Sequence, residues 1–502
     1  MSFYVTTPIF YVNAAPHLGH AYTAIGADVL ARHRRQRGEE VFFLTGTDEH
    51  GEPVALAAER EGVTPQELAD RNAERFRALM PQLNVSNDFF IRTTDPEHVA
   101  RVQQVLTRVR DNGHVYKGVY EGWYCPRCAD FKTEAEAGEE HRCPIHRIEL
   151  SWEQEENWFF RLSAFQGDLE RLYDEHPDFV QPRHRFNEAR SFIASGLQDV
   201  SLTRARLRWG VPVPWDEGQV FYVWFDALLN YYTALGYARD GHDLTDVFWP
   251  ASVHLIGKDI LKFHCVFWPA LLLAAGLPLP EGVFVHGFLL MRDASGEESK
   301  MSKSLGNVLD PFQIIEEFGA DALRHYCLRE VSFGQDGAVS TAGFGARYEN
   351  ELANEYGNLV SRTLAMVHRY RDGDVPAAGL DELGDVDGLH RDVPALMDVP
   401  DPSGALDRVW RAVRALNRYV EERAPWALAK DPARSEELDR TLASLAEGLR
   451  VVTVWLHPFI PASSERVLAA LGAPDLSLER ARPGQGALRR VERLPPLFPK
   501  PE

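Results

Sequence analysis

The 502-residue chain has little positive charge, few cysteines and no long apolar segment, and each shortage narrows the functions open to it. It carries 54 Lys and Arg against 74 Asp and Glu, a formal net charge of −20. That balance excludes a general electrostatic attraction to nucleic acid, so any such contact must use local basic patches. The candidates are Arg204-Ala-Arg206-Leu-Arg208, residues 362–371 and the Arg-rich C-terminal tail.

Five cysteines are too few for a disulfide framework, and three of them lie between residues 125 and 143. Such clustering indicates a metal site in a reducing compartment. No apolar run reaches about 18 residues, and no basic segment followed by an apolar one opens the chain. We therefore expect a cytoplasmic protein without membrane contact. Its length predicts two to four domains.

The strongest local signal is the turn Pro16-His17-Leu18-Gly19-His20. Strand-forming residues precede it and a helix is predicted over residues 21–34. The N–H groups that open a helix attract anions, two imidazoles three residues apart share one helix face, and Gly19 leaves the backbone open to a flat ring. The turn thus suits a nucleotide, although paired histidines also occur as surface or metal-binding residues.

Alternating strands and helices predict the fold of the first part of the chain. Residues 40–45 form a predicted buried strand that ends in the polar segment 46–51. Capping boxes at Thr64 and Thr94 open two helices. Strands return at 220–224, 252–256 and 282–286, with a helix over 260–275. The pattern predicts an α/β fold with a doubly wound, parallel Rossmann-type sheet, whose ligands gather at the carboxyl ends of the strands.

From about residue 348 the sequence has helical periodicity, which predicts an all-α helix bundle. Its predicted helices span residues 348–371, 404–423 and 435–457, and residues 372–403 form a predicted exposed, partly disordered connection. The domains expected are the first half of the Rossmann catalytic domain (1–113), an insertion (114–220), its second half (221–290), a linking segment (291–345), the helical domain (346–480) and a C-terminal tail (481–502).

The insertion contains a candidate metal site. Cys125-Pro-Arg-Cys128 and Cys143-Pro-Ile-His146 are two ligand pairs separated by fourteen residues. Three thiolates and one imidazole suit one tetrahedral Zn²⁺, and a site filled by four protein ligands is structural. Chance clustering of buried cysteines is the alternative.

A second motif decides what the histidine turn resembles. Lys300-Met301-Ser302-Lys303-Ser304 precedes Leu305-Gly306-Asn307. Together the two motifs resemble the HIGH and KMSKS signatures of class I aminoacyl-tRNA synthetases. The sequences around them are similar to the bacterial methionyl-tRNA synthetases with a single zinc knuckle, over almost the whole chain. The resemblance implies ATP-dependent attachment of methionine to tRNA through methionyl-adenylate.

The resemblance also implies residue roles. The catalytic residues would be His17, His20, Lys300 and Lys303, which stabilise phosphate charge. ATP would contact His17, Gly19, His20, Gly257, Asp259, His286, Gly287, Leu289, Lys300 and Lys303, and would bring Mg²⁺. Methionine would contact Ile9, Tyr11, Asp48, Trp224, Ala227, Leu228, Tyr231, Ile260 and His264. Leu228 departs from the smaller residue or proline of some members. Arg204 would support activation, and Asn358 with Arg362 would read the anticodon.

These residues could instead have ordinary structural roles, as core aromatics, a strand-end histidine, a solvated lysine loop, a surface arginine or a polar helix face. Two other enzymes remain open, a class I synthetase for another apolar amino acid and a small-molecule nucleotidyltransferase. A catalytically idle tRNA-binding protein is a third rival. The partners expected are methionine, ATP and tRNA but not DNA, and the protein is expected to be a monomer.

Overall fold

The structure is a computed structural model that describes residues 2–126, 130–132, 134–145, 147–292, 298–300 and 310–499. The strands in these residues are β1 (Ser2–Thr6), β2 (Phe10–Tyr11), β3 (Glu40–Asp48), β4 (Phe89–Arg92), β5 (Val115–Cys125), β6 (Asp130–Lys132), β7 (Ser151–Phe160), β8 (Val180–Gln181), β9 (Val200–Ser201), β10 (Thr203–Arg204), β11 (Val220–Phe221), β12 (Val253–Gly257), β13 (Val283–His286), β14 (Leu289–Arg292), β15 (Glu298–Lys300) and β16 (Gly337–Val339).

The α-helices are α1 (Leu18–Gln36), α2 (Glu52–Glu61), α3 (Pro65–Gln82), α4 (Pro96–Val109), α5 (Glu134–Ala137), α6 (Gln166–Glu175), α7 (Arg183–Ala194), α8 (Val223–Leu228), α9 (Asn230–Thr233), α10 (Thr245–Phe248), α11 (Trp268–Ala275), α12 (Pro311–Phe318), α13 (Ala320–Glu330), α14 (Thr341–Arg347), α15 (Asn358–Arg371), α16 (Leu389–Asp398), α17 (Pro402–Arg423), α18 (Pro425–Leu428), α19 (Ser435–Leu456) and α20 (Pro461–Ala470). A π-helical segment, Tyr348–Gly357, runs directly into α15.

A parallel sheet organises the first part of the chain. Its order is β2-β3-β1-β12-β13-β8, and β4 also pairs with β3. Along β1, Phe3 and Val5 belong to one apolar core and Tyr4 to the other. Both faces of the sheet are therefore covered, which explains its uninterrupted apolar strands. The predicted doubly wound parallel sheet is confirmed. Strand β8 joins this sheet although it lies within the predicted insertion.

The insertion also contains an antiparallel sheet of order β6-β5-β7-β9. Strands β5 and β7 pair continuously from Val115 opposite Phe160 to Tyr124 opposite Ser151. Beyond that ribbon lies a small apolar cluster formed by Cys125, Ala137, Cys143 and Leu150.

Two predicted helix starts have different outcomes. The capping box at Thr64 is confirmed, since the Thr64 hydroxyl accepts from the Glu67 N–H and the Glu67 carboxylate accepts from the Thr64 N–H. The box at Thr94 is wrong. Helix α4 has Asp95 as its N-cap and lacks a side-chain cap bond. The Thr94 hydroxyl instead donates to the buried carboxylate of Glu49.

Two further predictions near the second half of the sheet have different outcomes. Residues 220–224 do not rejoin it: β11 pairs with β10, and α8 begins at Val223. The helix predicted over 260–275 is confirmed, since helical residues run without a break from a 3₁₀ turn at Lys258–Ile260 through a π turn at Phe263–Phe267 into α11. Pro269 has no N–H to donate to the Cys265 carbonyl, which accepts from the Tyr173 hydroxyl at 2.8 Å.

The second part of the chain is helical, as predicted. The connection predicted as exposed and disordered contains α16, whose apolar residues at intervals of four, Leu389, Val393 and Met397, are buried against α17. Four-residue spacing gives a helix one apolar face despite the surrounding Asp, Gly and Pro. The C-terminal tail folds back, and Val491, Leu497 and Phe498 are buried.

One apolar core continues from α1 into the helical part. A buried arginine, Arg324 of α13, lies within it. Its guanidinium donates to Asp28 of α1 at 2.7 Å and to the Pro458 and Phe459 carbonyls after α19 at 2.6 and 3.1 Å. Within the described ranges, the helices are all too short or too polar to cross a lipid bilayer.

Candidate active site

A cavity of about 260 Å³ opens at the carboxyl ends of the parallel strands. Asp48, Gly257 and His286 are the last residues of β3, β12 and β13, and all three line it. This is where open α/β sheets hold their ligands. The full lining is Pro8, Ile9, Phe10, Tyr11, His17, Gly19, His20, Thr23, Asp48, Trp224, Ala227, Leu228, Tyr231, Gly257, Asp259, Ile260, His264, His286, Phe288 and Leu289.

The histidine turn caps α1 with its own imidazoles. Nδ1 of His17 accepts from the Gly19 N–H at 3.1 Å, and Nδ1 of His20 accepts from the His17 N–H at 3.1 Å. The rings stack with centroids 3.8 Å apart. Because each Nδ1 is an acceptor, each neutral ring carries its proton on Nε2. The turn therefore provides two ring donors beside a helix N-terminus.

Gly19 has a more local role than the sequence suggested. A Cβ atom at this position would lie 2.9 Å from Cε1 and 3.1 Å from Nδ1 of His17. The flat ring for which Gly19 leaves room is therefore the imidazole of His17 itself.

Asp48 is a buried carboxyl group that lines the cavity. Its Oδ1 atom has no hydrogen-bond partner among the described residues. The backbone of His50 and the side chain of Tyr11 partly favour the ionised form of the group. Burial, and then the neighbouring charge of Asp226, raise the pKa of Asp48 well above its usual value. An unpaired buried carboxylate is costly, so the site favours a cationic ligand.

Aromatic side chains surround this carboxyl group. Trp224 stacks on Phe263 with centroids 3.8 Å apart, and Tyr11 meets Trp224 edge-on. His264 Nδ1 lies 3.1 Å from the Ile260 carbonyl and so must donate to it, which leaves Nε2 to accept from the Tyr231 hydroxyl at 2.7 Å. Burial lowers the pKa of His264 to about 4, so the imidazole is neutral at pH 7. The result is an uncharged, polarizable cage.

Other groups that line the cavity are polar. A Cβ at Gly257 would lie 2.8 Å from the Asp259 carboxylate, so Gly257 permits that carboxylate to fold back over the strand end. His286 Nδ1 donates to the Gly287 carbonyl at 2.8 Å, and its Nε2 lies 2.8 Å from the Thr23 hydroxyl of α1. Burial lowers the pKa of His286. These groups connect β13 to the helix that carries the histidine turn.

Comparisons with known proteins agree with this geometry. Residues 3–149 and 139–364 match the family described as tRNA synthetases class I (M). The methionine–tRNA ligase of Streptomyces coelicolor is 46% identical over 491 residues, covering 94% of this chain and 90% of that protein. The enzyme of Bacillus subtilis is 42% identical, covering 100% of this chain and 78% of that protein. This chain belongs to the methionine–tRNA ligase family.

A solved structure extends the likeness to the fold. Mycobacterium tuberculosis methionyl-tRNA synthetase in complex with methionyl-adenylate has a TM-score of 0.94 at 40% identity, and 99% of each chain is covered. The free-state structure of that enzyme has a TM-score of 0.86 at 37% identity, covering 100% of this chain and 98% of that one. Membership of the family confirms the predicted enzyme class and the predicted reaction, methionine activation with ATP and charging of tRNA.

Most of the residues predicted to contact methionine or ATP line the cavity. All predicted methionine contacts line it, and so do His17, Gly19, His20, Gly257, Asp259, His286 and Leu289 from the ATP set. Gly287 does not: a Cβ there would lie 2.2 Å from the Gln335 backbone, so this glycine admits a neighbouring loop. The backbone of Lys300 pairs with Leu290, next to the lining residue Leu289. Lys303 lies outside the described residues.

Arg204 lies apart from the main cavity. It lines a second cavity of about 300 Å³ with Glu52, Tyr124, Glu153 and other residues. Its guanidinium donates to the Ser201 hydroxyl at 2.9 Å and lies 4.0 Å from the centre of the Tyr222 ring.

The predicted anticodon pair lies on one face of α15. Asn358 is exposed, and Arg362 pairs with Glu421 at 2.7 Å. The Arg362 guanidinium also lies 5.6 Å from the ring of Trp426, which is 39% exposed. Trp426 was not predicted from the sequence. Its signal was a tryptophan directly after Pro425, at a break between two helices.

Two predicted zinc ligands can be described. Cys125 and Cys143 are buried in the same apolar cluster. Cys128 and His146 lie outside the described residues. In the part of the chain that is described, no three potential metal ligands come together. Zinc therefore stays a prediction.

Proposed function

We propose that the cavity binds methionine beside Asp48 and ATP along the histidine turn, and that the residues lining it perform the roles predicted for them. The observation that carries this assignment is Asp48 Oδ1, a buried carboxylate oxygen without a partner among the described residues, beside an uncharged aromatic cage. A ligand with an ammonium group next to an apolar, polarizable chain satisfies both features.

The α-ammonium of methionine would pair with Asp48. Its thioether would lie in the cage, where soft sulfur contacts aromatic rings favourably. The cage residues are Ile9, Tyr11, Trp224, Ala227, Leu228, Tyr231, Ile260 and His264. Because Tyr231 and His264 satisfy each other, the cage presents few groups for a more polar side chain to bond.

The activation step needs no protein nucleophile. A methionine carboxylate oxygen attacks the α-phosphorus of ATP, the bond from that phosphorus to the bridging oxygen breaks, and pyrophosphate leaves. The Nε2–H groups of His17 and His20 would donate to phosphate oxygens, and Lys300 and Lys303 would neutralise the pyrophosphate. Prearranged donors of this kind stabilise a transition state without moving during the reaction. In the second step a ribose hydroxyl of tRNA attacks the carbonyl carbon, and AMP leaves.

The remaining ATP contacts would come from Gly257, Asp259, His286, Gly287 and Leu289. Asp259 is suited to ribose hydroxyls because its carboxylate lies at a strand end that lines the cavity. Mg²⁺ would accompany the phosphates of ATP. Arg204 would act on activation from a distance, since it stacks on Tyr222, the residue that precedes α8 and its cage residues.

Cys125, Cys128, Cys143 and His146 would hold one Zn²⁺. The two cysteines that can be described are both buried in one small cluster, which is compatible with a shared metal. Bound zinc would serve as a structural cross-link between the two ligand pairs. Elemental analysis of purified protein should give one zinc per chain, and substitution of Cys125 by Ser should lower that ratio. Protein without stoichiometric zinc would contradict the assignment.

Asn358, Arg362 and Trp426 would form the anticodon surface, since an exposed aromatic beside a guanidinium offers stacking and hydrogen bonds to unpaired bases. The protein would act in the cytoplasm as a monomer. Gel filtration near the chain mass of 56.7 kDa tests the monomer.

ATP–pyrophosphate exchange across the amino acids tests the assignment of the cavity. Methionine should support exchange. Asp48→Asn should raise the KM for methionine by about 30-fold or more, because breaking a buried charge pair costs about 2–5 kcal/mol. Asp240→Asn, the same change at an exposed position, should have no effect. Exchange with another amino acid alone, or an unchanged KM in Asp48→Asn, would overturn the assignment.

A further inference from the structure

A buried hydrogen-bond network lies behind the wall of the cavity. Asp226 of α8 is fully buried and does not line the cavity. Its Oδ2 lies 2.6 Å from His50 Nδ1, and its Oδ1 lies 2.7 Å from His98 Nε2. His98 Nδ1 in turn lies 2.7 Å from the Thr233 hydroxyl of α9. His50 belongs to the polar segment 46–51 predicted at a strand end, whereas Asp226, His98 and Thr233 were not singled out from the sequence.

The proton positions in this network follow from its geometry. A carboxylate only accepts hydrogen bonds, so the two ring nitrogens that face Asp226 carry the protons. His98 Nδ1 can then accept from Thr233. Burial alone would raise the pKa of Asp226, but its interactions with His50 and His98 lower it. Asp226 is therefore an ionised acceptor fixed from two sides.

One end of the network reaches Asp48. His50 follows Asp48 by two residues at the end of β3, and the His50 imidazole is held by Asp226. The same Asp226 belongs to the short helix that contributes Trp224, Ala227 and Leu228 to the cavity. The network thus connects the end of β3 to α4, α8 and α9, which come from both halves of the Rossmann domain.

We infer that Asp226 is a positioning residue for the amino-acid substrate: by holding His50, it orients Asp48 so that the free Oδ1 faces the substrate ammonium. This inference rests on the proposed role of Asp48. Asp226 has no contact with substrate in it, and its effect on binding passes through His50 and Asp48. An Asn at this position could accept from one histidine, but it would present an N–H to the other.

Two ligands separate positioning from general structural damage. Methionine carries the ammonium, whereas its 2-hydroxy analogue, 2-hydroxy-4-(methylthio)butanoate, has the same thioether and carboxylate without it. Dissociation constants for both are measured at pH 8 by calorimetry on wild-type protein, Asp48→Asn, Asp226→Asn, the double variant and the control Asp240→Asn. A distorted cage would weaken both ligands, whereas a misoriented Asp48 weakens methionine alone.

We expect Asp226→Asn to weaken methionine about tenfold, within the range seen for coupled neighbours, and to change the analogue less than twofold. In the Asp48→Asn background, Asp226→Asn should add nothing. Equal weakening of both ligands, or unchanged methionine binding, would overturn the inference. If Asp48→Asn itself fails to discriminate between the ligands, the proposed role of Asp48 is what fails.

Should Asp226→Asn fail to fold, Thr233→Val provides the second test. The substitution is nearly isosteric and removes the hydroxyl that lies 2.7 Å from His98 Nδ1 and 3.4 Å from the Asn230 carbonyl. We expect a preferential loss of methionine affinity of about threefold, again absent in the Asp48→Asn background. Equal loss for both ligands would contradict the inference here as well.

Discussion

Replacement of Gly19 by Ala should separate helix stability from catalysis. Gly19 is the second residue of α1, where an added methyl group favours the helix by up to about 1 kcal/mol. The same methyl would lie 2.9 Å from His17 Cε1. Ordinary contact begins near 3.4 Å, so the ring must retreat by about 0.5 Å. The His17 ring cannot move freely, because it accepts a hydrogen bond from the Gly19 N–H and stacks on His20.

A displacement of 1 Å in an active site can cost about a hundredfold in rate, so half of that predicts roughly a tenfold loss of kcat/KM for ATP in pyrophosphate exchange. The dissociation constant for methionine should not change. Gly167→Ala is the matched control, since Gly167 is the second residue of α6 and a Cβ there meets nothing within 4 Å. Equal exchange rates in both variants would refute the role of His17 geometry.

Three more outcomes are expected. Methionine affinity should fall as the pH falls, because below its raised pKa Asp48 is protonated in the empty site, and the substrate ammonium binds only the ionised form. Calorimetry in two buffers should therefore detect proton release on methionine binding. The Asp48→Asn substitution should abolish that release. Arg324→Met should lower the free energy of unfolding in urea by about 1–3 kcal/mol, because the buried Pro458 and Phe459 carbonyls lose their donor and Asp28 keeps only Arg32 as an ionic partner. Arg391→Met, at an exposed side chain, should cost under about 1 kcal/mol. Trp426→Ala should reduce aminoacylation about tenfold while exchange stays normal, and loss of both would contradict the anticodon surface.

The sequence was sufficient to predict those features of the fold and the site that are encoded within a short segment of the chain. The histidine turn, the polar end of β3 and the strands around Leu255 and Phe284 could be predicted because each is a short segment whose periodicity or spacing has a direct structural meaning. The same holds for the capping box at Thr64. The cage residues came from a resemblance, since aromatic residues at such positions are otherwise ordinary core.

Contacts between distant residues could not be predicted. Asp226 meets His50 across 176 positions and His98 across 128, and local periodicity contains no signal for such pairs. The π turn that leads into α11 involves Pro269 together with a hydroxyl from Tyr173, nearly a hundred positions earlier. Helix α16 was missed for the opposite reason: its apolar face is only three residues long and lies among residues typical of loops.

The continuous core between α1 and the helical part has a consequence for exchanging parts between relatives. Gln36 of α1 donates to the Val454 carbonyl at 3.0 Å, and His33 faces Trp455 with ring centroids 6.3 Å apart. A helix bundle taken from another ligase would therefore have a surface that is complementary to the α1 of that ligase and not to the α1 of this chain. A functional chimera must therefore take the face of α1 that packs against the bundle from the same parent as the bundle. The first turn of the same helix belongs to the proposed nucleotide site.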